Sequence, residues 1–126
     1  MMHKPGKTGI SRLIAATGYS AKGFRAAWRH EEAFRIEACL ALIFLPGAFF
    51  ITSDLSHQLI LVIASGLVIM AELINSAIEA VVDRISHDLH PLSGQAKDIG
   101  SATVFVSLVI FVILWSTTLW QFYRQL

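Results

Sequence analysis

Three stretches of the chain carry no charged side chain: Ala38 to Ser53, Leu55 to Ala71, and Ile99 to Trp120. The third spans a bilayer without difficulty, because 22 residues at roughly 1.5 Å each give about 33 Å, close to the thickness of a hydrocarbon core. The first is shorter and contains Pro46-Gly47, but its helix can begin upstream near Phe34, and proline is tolerated inside membrane helices. The second reaches spanning length only by running past Glu72 toward Ile78, which sets an ionisable residue inside a span. From Ser11 to Glu37 the pattern changes. There Leu13, Ile14, Phe24, Ala27, Trp28 and Phe34 alternate with Arg12, Lys22, Arg25, Arg29 and Arg35, as suits a helix lying on a membrane surface. The pattern predicts an all-α membrane protein of one domain over residues 1–126, with a surface helix at about 11–33 and transmembrane spans at about 34–53, 58–85 and 99–120.

Composition agrees with lipid as the solvent. Of 126 residues, 55% are hydrophobic and 15% charged, a balance too apolar for a soluble chain with so much surface relative to its core. The net charge of +1 gives no sign of nucleic acid as a partner. Its distribution is more informative. Seven of the ten Lys/Arg precede the first span, Arg84 and Lys97 lie between the second and third, and Arg124 follows the third. The positive-inside rule then puts the N-terminus and the Arg84-to-Lys97 segment in the cytoplasm and the C-terminus on the other side. The residues from Met1 to Ser11 have no apolar core of their own and do not resemble a cleaved signal peptide. The single cysteine, Cys39, falls in an apolar run and reads as a small buried hydrophobe.

The most informative segment is Glu72-Leu-Ile-Asn75-Ser76-Ala-Ile-Glu79-Ala-Val-Val-Asp83-Arg84. On a helix advancing about 100° per residue, with Glu72 at zero, Asn75 falls near −60°, Glu79 near −20° and Asp83 near +20°. Four polar groups therefore form one stripe, and Leu73, Ile74, Ala77, Ile78, Val81 and Ile85 fill the rest of the circumference. A charge at membrane depth costs on the order of 2.5 to 3.5 kcal/mol, and three carboxylates on one stripe also repel each other, so a cationic partner is required. Oxygen ligands without a nearby His or Cys favour a hard ion such as Mg²⁺. Pairing of the stripe with Arg25, Arg29 or Arg35 would meet the same need and would only hold the helices together.

Standard phosphate loops are missing. Gly6-Lys7-Thr8 lacks the earlier glycine of a Walker loop, and Gly18-Tyr-Ser-Ala-Lys-Gly23 continues Phe24-Arg25 where Lys-Ser/Thr is needed. The residues alone leave two classes open. One is a metal-dependent enzyme at the membrane surface; the other is a proton- or cation-coupled transporter using Glu72 as its carrier.

At these positions the sequence resembles the prokaryotic diacylglycerol kinases, small homotrimeric membrane enzymes. Glu72-Leu-Ile-Asn75-Ser-Ala-Ile-Glu79-Ala-Val-Val-Asp83 resembles the family signature, and His90-Pro-Leu-Ser93-Gly94-Gln-Ala-Lys97-Asp98-Ile-Gly-Ser101-Ala its second block. Gly18-Tyr19-Ser20 and Arg25-Ala-Ala-Trp28, with Glu31, Ala33-Phe34-Arg35 and Glu37, resemble its surface helix. His30 stands where the family commonly has Asn.

The resemblance implies ATP-dependent phosphorylation of diacylglycerol to phosphatidic acid in a bacterial cytoplasmic (inner) membrane, at sites between neighbouring subunits of a homotrimer. A related small kinase architecture acts on undecaprenol, so another lipid alcohol is the alternative. By this similarity Glu72 is the general base, and Glu31 and Glu79 hold Mg²⁺ against the phosphates of ATP. Lys97 neutralises developing charge and Asp98 orients it. Arg12, Tyr19, Asp88 and His90 contact nucleotide. Ser20, Arg25, Trp28, Phe34, Arg35, Ser101 and Trp115, with Arg12 and Glu72, line the lipid site. Trp28, Trp115 and Trp120 also suit membrane interfaces without any ligand.

Overall fold

The computed structural model describes residues 8–126, so Lys4 and the Gly6-Lys7 portion of the rejected phosphate loop lie outside the described residues. The described chain is helical throughout: α1 (Gly9–His30), α2 (Glu32–Ile51), α3 (Leu55–Ile85) and α4 (Pro91–Gln125). The last three are long and apolar enough to cross a membrane. Each takes in polar or charged residues beyond its uncharged run, α2 at its start, α3 at its end and α4 at both ends, because backbone hydrogen bonding continues through polar residues once a helix is established. The Arg84-to-Lys97 segment is accordingly mostly helical, and only Ser86 to His90 link α3 to α4.

Each break has a local cause. α1 and α2 are separated by one extended residue, Glu31 (φ −119°, ψ 105°). Its N–H donates to the Ala27 carbonyl, and its own carbonyl accepts from the Arg35 N–H, so Glu31 keeps both backbone bonds while the chain turns. Arg35 Nη1 also donates to the Trp28 and Arg29 carbonyls at 2.8 and 3.3 Å, capping the negative end of α1. At the opposite end of the bundle Asp54 caps α3, its carboxylate accepting from the His57 N–H at 3.1 Å. His90 caps α4 through Nδ1, which accepts from the Leu92 N–H at 3.1 Å, and Pro91 occupies the first turn, where no N–H is needed.

α4 packs most extensively against α3, and α2 against α3. The tightest packing lies toward the Asp54 end, where Ala48, Leu61 and Trp115 are buried together. Phe44 meets Trp115 edge-on with ring centroids 4.9 Å apart, and Phe111 meets Phe44 likewise at 5.0 Å. His57 Nε2 and Thr118 Oγ1 lie 2.6 Å apart and join α3 to α4 there. Much of the remaining surface is apolar, with Leu42, Phe50, Ile63 and Phe105 all exposed, as expected where lipid replaces water. Cys39 departs from expectation, being exposed on α2; in a span, an apolar run carries no information about which residues face inward.

Candidate active site

The stripe on α3 forms as its spacing requires. Glu72 and Asn75 are buried, Glu79 is half-buried beside them, and Asp83 follows one turn further on. Asn75 Nδ2 donates to Glu79 Oε1 at 3.3 Å, while Asn75 Oδ1 is buried without a partner. Glu31, brought in by the break between α1 and α2, and Glu79 both lie within electrostatic reach of Glu72. Glu37, one turn into α2 and half-buried, also interacts with Glu72, and its Oε2 has no hydrogen-bond partner. Three carboxylates, from the α1–α2 break, α2 and α3, thus lie within electrostatic reach of the buried Glu72.

The cation that meets the stripe comes from α4, not from the surface helix. Lys97 Nζ donates to Asp83 Oδ1 at 2.7 Å. Arg35 is directed to helix carbonyls instead. The Lys97–Asp83 pair lies at the mouth of a polar cleft of about 410 Å³ whose walls include His87, Asp88, His90 and Gly94. A second, more apolar groove of about 470 Å³ lies between α1 and α3 and is lined by Ser20, Phe24, His30, Glu31 and Ser76. The two flank the C-terminal half of α3, one suited to polar and one to apolar chemistry.

The expected site residues divide accordingly. Glu31, Glu72 and Glu79 come together; Asp88, His90 and Lys97 share the polar cleft, and Asp98 is exposed on the same helix as Lys97. Phe34 is buried and packs at 6.4 Å against Phe24 beside the groove that Ser20 lines. Arg12 and Tyr19 lie roughly 27 and 17 Å along α1 from His30. Arg25, Trp28 and Ser101 are exposed. Trp115 is buried in the aromatic core; its contact Leu61 is 11 residues or about 16 Å along α3 from Glu72. Three residues of the site, Asn75, Asp83 and Glu37, were given no individual role from the sequence. Asn75 and Asp83 were visible in the stripe, but what gave them partners is α4, and Glu37 had no signal beyond being an acid at the head of a span.

Two carboxylates and a neighbouring amide form an oxygen-only donor set appropriate to a hard divalent cation. Among the described residues no three His, Cys, Asp or Glu side chains converge as a complete metal cage. Mg²⁺ does not require one, since it is typically bound by one or two carboxylates with water and phosphate oxygens completing its shell. Glu31 and Glu79 fit that limited role.

Comparison with known proteins gives a consistent result. Residues 18–119 match the family described as prokaryotic diacylglycerol kinase. The diacylglycerol kinase of Escherichia coli K12 is 46% identical over 114 residues, covering 90% of this chain and 93% of that protein. That of Haemophilus influenzae is 50% identical over 109 residues, covering 86% and 92%. The Helicobacter pylori protein of the same name is 35% identical over 121 residues, covering 96% and 94%.

Proposed function

This chain belongs to the prokaryotic diacylglycerol kinase family, and on that premise we propose that it carries out its phosphoryl transfer at the carboxylate cluster of α3, with the lipid hydroxyl presented to Glu72. It is a multi-pass membrane protein and a lipid kinase acting on diacylglycerol. The observation that carries the proposal is the burial of Glu72 within electrostatic reach of Glu31 and Glu79, on the stripe whose far end, Asp83, pairs with Lys97 in the polar cleft.

In this mechanism Glu72 accepts the proton of the diacylglycerol hydroxyl as the oxygen attacks the γ-phosphorus of ATP. A new P–O bond forms, the bond to the β,γ-bridging oxygen breaks, and ADP leaves phosphatidic acid behind. Bound Mg²⁺ supplies charge neutralisation on the phosphate oxygens, and Glu31 and Glu79 are the residues to hold it. Asn75 fixes Glu79 through its amide N–H. Lys97 offsets charge developing on the transferred group, and Asp98 assists its orientation. Asp88 and His90 hold the nucleotide. Ser20, Phe34 and Arg35 position the lipid beside the groove, and Arg25, Trp28 and Ser101 extend that surface.

Arg12 and Tyr19 sit toward the start of α1, and the homotrimer we propose lets one subunit's α1 reach another's site. We place the N-terminus and the Ser86-to-His90 link in the cytoplasm of a bacterial inner membrane, from the charge distribution. The test is turnover by purified protein in mixed micelles with ATP·Mg²⁺ and a panel of lipid alcohols. Phosphatidic acid from diacylglycerol is expected. Preferential phosphorylation of undecaprenol, or ion transport without ATP consumption, would overturn the reading.

A further inference from the structure

We propose that Asp83 is a positioning residue for nucleotide: its carboxylate holds the Lys97 ammonium at the mouth of the polar cleft before the phosphates arrive. The inference rests on the reading of Lys97 as the cation that faces phosphate. Lys97 Nζ donates to Asp83 Oδ1 at 2.7 Å, a short charge-assisted bond across the α3–α4 seam. Both residues line the cleft that Asp88 and His90 also line. The ammonium has three N–H donors, so a bond to Asp83 leaves two for phosphate oxygens without the pair having to break.

The alternative is that the pair holds α3 and α4 together. The geometry argues against this as its main role. The Lys97 and Asp83 side chains are 42% and 46% exposed, and ion pairs so accessible to solvent contribute little to stability. α3 and α4 are in any case fastened elsewhere, by the buried aromatic core and by the His57–Thr118 contact. What the pair does supply is restraint. A lysine has four rotatable carbons and many rotamers, and catalysis of phosphoryl transfer depends chiefly on having charge already in place. Asp83 lies on the same helical stripe as Glu72 and Glu79, so the restraint ties the cation to the helix that carries the proposed base and metal ligand.

The experiment compares Asp83→Asn, Asp83→Glu and Lys97→Met in mixed micelles, measuring kcat, KM for ATP, KM for dioleoylglycerol and the temperature of irreversible inactivation. Asp83→Asn is expected to raise KM for ATP on the order of tenfold, with KM for the lipid and the inactivation temperature unchanged. Asp83→Glu, which keeps the carboxylate, should stay within about threefold of the parent. An unchanged KM for ATP in Asp83→Asn, an equal rise in both KM values, or a loss of activity matched by a lower inactivation temperature would each overturn the proposal. Lys97→Met separates it from the reading beneath it. If that variant keeps parental turnover and KM for ATP, the phosphate role of Lys97 fails and the role of Asp83 fails with it. If it loses turnover while Asp83→Asn behaves as the parent, Lys97 keeps its role and Asp83 alone is wrongly assigned.

Discussion

Gly100 on α4 lies so close to Asn75 on α3 that a side-chain carbon at position 100 would overlap the Asn75 amide oxygen. The glycine is therefore required by proximity, not by its backbone angles. Asn75 cannot simply rotate away, because its amide N–H is committed to Glu79.

Gly100→Ala should consequently damage the site as well as the fold. Forcing a methyl group into a filled interface typically costs about 1–3 kcal/mol, and here the group displaced is the partner of a proposed metal ligand. Thermal inactivation and the Mg²⁺ dependence of turnover should both shift. A variant with parental values for both would show that α3 and α4 separate easily at this level.

Trp115→Ala tests the other end of the bundle. Trp115 is buried against Phe44, Phe111, Ala48 and Leu61, so its truncation should cost about 3–5 kcal/mol of stability. Denaturant titration in micelles reads this directly. Loss of lipid affinity with no loss of stability would instead make it a ligand contact, as the family resemblance alone suggests.

The helices and the acidic stripe were legible in the sequence because each rests on a local periodicity: uncharged runs of spanning length, and polar groups spaced three, four and four residues apart from Glu72 to Asp83. What joins the stripe was not legible. Lys97 and Asp83 are 14 residues apart across a break whose geometry depends on the caps at Ser86 and His90. The same is true of Cys39 and Trp115. Within an apolar run, hydrophobicity no longer separates core from surface, so Cys39 could turn outward and Trp115 inward without any sign in the pattern.

Glu31→Gln and Glu79→Gln test the metal assignment. Each replaces a carboxylate oxygen with an amide of the same shape, weakening attraction for a divalent cation while preserving packing. The Mg²⁺ concentration needed for half-maximal turnover should rise at least tenfold in each, by analogy with other metal-site losses. Unchanged metal dependence in both variants would remove these two residues from the assignment.

Orientation is tested at the C-terminus. α4 carries the chain away from the Lys97 end to Leu126, so with the Ser86-to-His90 link in the cytoplasm a tag at Leu126 should be reached only from the opposite side. Labelling of that tag in inside-out vesicles, and not in intact spheroplasts, would reverse the topology.

Glu72 is the position on which the chemistry depends. It lies 17 residues past Leu55, about 26 Å along α3, which leaves it inside the helix, just past the middle on the side of the Ser86-to-His90 link. Two roles compete for a buried carboxylate in such a place. If Glu72 is only a structural member of the cluster, Glu72→Gln relieves repulsion from Glu31 and Glu79, and folded protein should keep its turnover. If it is the base, the amide keeps the shape but cannot accept the lipid proton, and turnover should fall on the order of 10²- to 10⁴-fold. ATP affinity and thermal inactivation should hardly change, since neither depends on that proton. The second outcome is expected. A stable Glu72→Gln protein with near-parental kcat at saturating diacylglycerol would move the proton transfer to another carboxylate of the cluster, with Glu37 the next candidate because it too lies within electrostatic reach of Glu72 and has a buried oxygen unpaired.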